Sequence, residues 1–66
     1  TLVIGEVGLG GEVRGVSRIE GRIKEGMQMG FTRCIIPKRN MPPTQQKGMT
    51  LVGVSWIDEA IDELMR

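Results

Sequence analysis

The stretch from Gly5 to Asn40 permits few folds, because almost every joint in it carries its own local signal. Leu2 to Leu9 and Glu12 to Val16 are apolar, partly alternating runs on either side of Gly10-Gly11. Two glycines between such runs predict a hairpin with a type I′ turn, whose central residues both need positive φ. In that register Leu9 opposes Glu12, Val7 opposes Arg14 and Gly5 opposes Val16. Val3, Val7, Leu9 and Val16 then share one face, the expected core face. Gly5, Gly8 and Gly15 leave room for a close backbone approach or a bulge.

Ser17 opens S-R-I-E, the spacing of a capping box, in which the hydroxyl takes an orphan N–H and Glu20 reaches back. A helix is expected from about Arg18 to Met29. Ile19, Ile23 and Met27 recur every four residues on its inner face, and Arg18, Arg22 and Glu25 lie off that stripe. Gly30 supplies a left-handed C′ position, with Phe31 folding back on the helix end. Thr32 to Ile36 reads as a short internal strand that Pro37 ends. Lys38 to Gly48 reads as a loop, with one helical turn near Gln45. Met49 to Val54 is a final strand. Ser55-Trp56-Ile57-Asp58 repeats the cap with Asp in the Glu position, and Ile57, Ile61 and Leu64 mark the inner face of a terminal helix. The expected class is α+β, in the order β-hairpin-α-β-β-α.

Sixty-six residues make one domain at most. A chain of this size buries only roughly 60% of its unfolded surface, so stability is marginal. Disulfides and metals often compensate in small domains, but Cys34 is alone and there is no His. Cys34 lies in the apolar run CIIP and is expected to be a core residue of a protein from a reducing compartment. No apolar stretch approaches the ~20 residues that span a membrane, and no signal-peptide pattern is present. A cytoplasmic location is the expectation. The chain starts at Thr1 and enters a strand almost at once, which suggests a fragment that has lost upstream strands. An open sheet edge would then pair with another copy.

The net charge of +1 is unevenly spread. Residues 1–50 carry eight basic and four acidic side chains, and residues 51–66 carry one basic and four acidic. The basic part suits a polyanion and the acidic helix suits solvent or a partner.

Taken together, GEVGLGGEVRGV, SRIEGRIKEG, GFTRCIIPKRN and GMTLVGVSWIDEAIDEL resemble the C-terminal domain of the RadA/Sms family of DNA-repair ATPases. Four blocks agree in order over nearly the whole chain. More distantly they are similar to the end of the Lon protease domain. The resemblance implies part of a ribosomal protein S5 domain 2-like (Lon protease-like) fold. It also implies a larger parent with an N-terminal zinc finger and a RecA-like ATPase, which assembles into rings and acts on branched DNA. ATP, Mg and Zn belong to that implied parent. This segment has no CxxC pair for zinc and no GxxxxGK[ST] loop for a nucleotide, so no cofactor is expected here.

Lon-type proteolysis activates a Ser with a Lys, and the resemblance places that Lys at Glu20. A carboxylate cannot act as the neutral amine base. Arg22 and Lys24 sit two and four residues further on. The expectation is therefore a protease fold kept without its chemistry, with the tail of an ATP-dependent Lon-like serine protease as the alternative. A purely structural assembly domain is the third reading.

Ser17 and Ser55 are accounted for as caps rather than nucleophiles. Glu6 and Glu12 flank the turn as solvated residues, with no His or further acid to make a site. Met27, Met29, Met41 and Met49 read as core filler. The basic residues are the functional candidates. Arg14, Arg18, Arg22, Lys38 and Arg39, with Arg33 nearby, form a DNA-binding stripe if the fold brings them to one rim. No aromatic interleaves with them, so contact to the phosphate backbone is expected, without base stacking. The competing reading is ordinary surface charge paired with Glu20, Glu25 and the acidic helix.

Overall fold

The computed structural model describes residues 1–43 and 47–66. The expected helical turn near Gln45 lies outside the described residues. The elements are β1 (Leu2–Val3), β2 (Glu6–Val7), β3 (Val13–Arg14), α1 (Ile19–Gln28), β4 (Arg33–Pro37), a 3₁₀ turn (Lys38–Asn40), β5 (Thr50–Val54) and α2 (Ile57–Leu64). β1, β4 and β5 form a parallel sheet in that order, and β2 and β3 form an antiparallel ribbon. The result is a small α+β molecule.

β4 is central, as the apolar run CIIP requires. A parallel strand covered on both faces reads as continuously apolar rather than alternating. Cys34 and Ile36 point into one core, with Ile23 and Met49, against α1. Ile35 points into the other, with Val54 and Ala60, against α2. Cys34, Ile35 and Ile36 are fully excluded from solvent. Each buried isoleucine contributes roughly 1.5–3 kcal/mol on transfer grounds. Burial pushes the Cys34 thiol above its ordinary pKa, so it packs as a small hydrophobe.

α1 ends as expected. Gly30 has φ 95°, its N–H reaches the Met27 carbonyl at 3.1 Å, and the Phe31 N–H reaches that of Gly26 at 3.0 Å. This is a Schellman motif, and Phe31 packs on the same core as Met27. The start of α1 differs from expectation. Arg18, not Ser17, is the N-cap residue, in the left-handed region (φ 57°), and no side chain caps the helix. The Ser17 capping box does not form, because Ser17 and Arg18 are spent on the turn out of the hairpin.

The hairpin register also differs. Glu6 pairs with Arg14 and Val7 with Val13. The Gly8 N–H reaches the Glu12 carbonyl at 2.9 Å, and the Gly11 N–H reaches the Gly8 carbonyl at 3.0 Å. The loop is therefore three residues, Leu9 to Gly11, closed by Gly11 at φ 86°, and not a two-residue turn. One residue of slip changes which side chains share a face; Val7 in the ribbon, Leu9 in the loop and Val3 on β1 are exposed rather than core. The expected first strand is also split. β1 joins the parallel sheet and β2 the ribbon.

At α2 the buried position is Ala60, while Ile61 and Leu64 remain about half exposed. The cap acid is Glu59 rather than Asp58. Its Oε1 accepts the Ser55 and Trp56 backbone N–H groups at 2.9 and 3.0 Å. Trp56, not Ser55, is the N-cap residue. No helix among the described residues is long and apolar enough to cross a membrane.

Candidate functional site

The hairpin is stitched to the far end of the sheet. Glu12 bridges antiparallel to Trp56, the Val13 N–H donates to the Ser55 carbonyl at 2.8 Å, and the Ile57 N–H donates to the Gly11 carbonyl at 2.8 Å. These bonds put the start of β3 beside the exit of β5. The 3₁₀ turn closes the third side. Asn40 makes that closure with its amide: Oδ1 accepts the Val16 N–H at 2.8 Å and Nδ2 donates to the Val16 carbonyl at 3.0 Å. The side chain thus pairs with Val16 as a neighbouring strand would.

Two glycines let the turn approach. A Cβ on Gly15 would lie 3.3 Å from both Arg39 Cδ and Asn40 Oδ1. A Cβ on Gly53 would lie 2.8 Å from Met41 Cγ and 3.2 Å from the Lys38 backbone. The turn thus rests directly on β5.

The three segments enclose an open groove of about 930 Å³. Arg14, Lys38 and Arg39 line it together, with Trp56 on the same wall system. Glu12 lines it as well and pairs with Arg14 at 3.2 Å. The Glu12 backbone N–H, then the Arg14 guanidinium, hold the Glu12 carboxyl below the usual carboxylate range. Any stability from that ionisation is present above the ordinary carboxylate pKa and is lost as pH falls through the lowered value. At neutral pH three cations face one carboxylate. Arg14 is partly engaged, whereas Lys38 and Arg39 make no ion pair within 4.0 Å among the described residues.

The expected stripe is therefore divided. Arg14, Lys38 and Arg39 are brought together in the groove. Arg18 and Arg22 line a separate shallow depression on the exposed side of α1, with Gly21 and Glu25. Arg33 leaves the candidate set. Its Nη2 bonds Glu63 Oε2 at 2.6 Å and its Nη1 bonds the Glu63 backbone carbonyl at 3.1 Å. It fastens the end of α2 to the start of β4.

Two groove residues escaped the sequence reading. Asn40 follows two cations in a loop-like context and gave no sign of a backbone partner 24 residues away. Trp56 sat inside an apparent cap signal. Its 54% exposure, unusual for the chain's single Trp, shows only in the fold. The expectation that no aromatic accompanies the cations is corrected by the Glu12–Trp56 bridge, which carries the indole to their groove.

Glu20, at the position the Lon resemblance assigns to the catalytic Lys, lies exposed on the first turn of α1, as does Lys24 on the next. The glycines around Leu9 belong to a hairpin turn rather than a strand-to-helix loop. Among the described residues no group of three His, Cys, Asp or Glu side chains could hold a metal ion.

Comparison with known proteins gives a consistent relationship. No family model matches the chain. It is 54% identical over 59 residues to a stretch of the DNA repair protein RadA of Bacillus subtilis, covering 88% of the chain and 13% of that protein. It is 46% identical over 68 residues to DNA repair protein RadA of Chlamydia pneumoniae, covering 98% of the chain and 15% of that protein. With DNA repair protein RadA of Escherichia coli the identity is 42% over 60 residues, covering 91% and 13%. The chain is homologous to these stretches and spans about one seventh of the length of the curated relatives it matches.

Proposed function

We propose that this chain is a non-catalytic, DNA-contacting and ring-assembly module of a RadA-like, ATP-dependent DNA repair and recombination protein. The observation that carries the reading is the convergence of Arg14, Lys38 and Arg39 on one groove, in a chain whose homologues are named for DNA repair. Three segments far apart in sequence are held there by backbone pairing and by the Asn40 amide, so the cations are presented on a fixed frame. Such a frame tracks phosphates without reading sequence. Arg18 and Arg22 add positive charge on the exposed side of α1, apart from the groove. Assembly draws on the apolar hollow between the ribbon and α2, lined by Val3, Val7, Val13 and Ile57, together with the exposed Ile61 and Leu64 of α2.

The test is a fluorescence-anisotropy titration of a labelled oligonucleotide across a range of salt. Three phosphate contacts predict a log–log salt slope of about −2 to −3. Neutralising Arg14, Lys38 and Arg39 together abolishes binding and flattens the slope. Unchanged binding in that triple variant removes the proposal.

A further inference from the structure

We infer that Trp56 is a base-stacking platform, and that the groove takes single-stranded nucleic acid with a base on the indole and its phosphates on Arg14, Lys38 and Arg39. The inference rests on the reading of the groove as a DNA contact and adds a ligand class and a residue to it. Three observations carry it. The indole is 54% exposed, although the chain has only two aromatic residues and the other, Phe31, packs on the core. It lines the same groove as the three cations. Its backbone is fixed on both sides, by the bridge to Glu12 and by the Glu59 carboxylate, so the ring projects from a rigid base.

Cations alone attract any polyanion. An indole among them adds a preference, because its flat apolar face is matched by the face of an unstacked base. In a duplex those faces are already stacked on each other. The strand that fits is therefore unpaired. The contact is tolerant of sequence, since every base has a π-face. Glu12, across the bridge from Trp56, disfavours close approach of phosphate at its own carboxylate, so the phosphate path runs along Arg14, Lys38 and Arg39 on the rest of the lining.

The chain contains no second Trp and no Tyr, so its intrinsic fluorescence reports on this position alone. The probes are a labelled oligothymidine, an abasic oligomer of equal length and the matching duplex, at low salt. The expected result is quenching of Trp56 by oligothymidine and not by the abasic strand. Trp56→Ala weakens oligothymidine binding roughly five- to a hundredfold and leaves abasic binding unchanged. Trp56→Phe keeps most of the affinity, and circular dichroism verifies that both variants fold. Equal binding of abasic and oligothymidine strands, with no effect of Trp56→Ala, overturns the stacking role while leaving the phosphate contact standing. Tighter binding of the duplex overturns the single-strand assignment. No binding of any probe by the unaltered chain overturns both this inference and the function it rests on.

Discussion

A single side-chain amide, that of Asn40, holds two remote segments in register. Both of its bonds go to the backbone of Val16 and both are partly buried. At about 0.5–1.5 kcal/mol per bond, Asn40→Ala should destabilise by about 1–3 kcal/mol in a urea titration. It should also weaken oligonucleotide binding, although it removes no charge. Arg18 makes the opposite case. It is the one described residue other than glycine with positive φ, a conformation that costs an L-residue roughly 1–2 kcal/mol. Arg18→Gly is expected to raise the melting temperature while lowering DNA affinity only slightly, since Arg18 lies outside the groove. A fall in melting temperature would mean that the side chain supplies stabilisation the backbone geometry does not reveal.

The two helices are secured differently. α1 is stopped by its Schellman motif and buries Ile23 and Gly26. α2 is acidic, has a short buried seam at Ala60, and depends on Arg33 at its far end. The Arg33–Glu63 pair is half-sheltered and charge-assisted, and Arg33 also caps a helix carbonyl. Glu63→Ala should cost about 1 kcal/mol and should increase hydrogen exchange in α2 before it does so in α1. Equal loosening of both helices would argue against a local fastening role.

The elements themselves were legible in the sequence where one physical cause dominates. Gly30 stops α1 because only a residue without Cβ accepts that φ cheaply, and CIIP is central because both of its faces are covered. The hairpin was legible as a hairpin and not in its register. Gly10-Gly11 supports a two-residue or a three-residue loop equally well in isolation, and the bonds joining Gly11 to Ile57 and Val13 to Ser55 choose between them. The same tertiary bonds explain why Val7 and Leu9 face outward and why Trp56 joins the cations. The site was visible as charge and invisible as shape.

At the scale of the whole molecule, the two faces of the parallel sheet are unequally covered. The α1 face is closed by Leu2, Ile19, Met27 and Phe31 around its core. On the other face Val3 and Val7 stay about half exposed at an apolar hollow that Ile4, Val13 and Ile57 also line, and α2 leaves Ile61 and Leu64 about half exposed. β1 is also a sheet edge. Self-association through this side is the expected outcome. Sedimentation velocity should show the apparent mass rising with concentration, and Val7→Lys with Ile61→Lys should return a monomer. A single species of 7.3 kDa at every concentration would remove the assembly half of the proposed function.

The stitching of the hairpin to Ser55, Trp56 and Ile57 sets an order on biosynthesis. Every cation of the groove is made before Ser55 and Trp56, which complete its lining. A chain truncated after Gly53 would keep these cations and lack Ser55 and Trp56, and would attract polyanions with no indole to favour an unpaired strand. The indole's share of the selectivity is therefore added only after all of the groove's charge is in place.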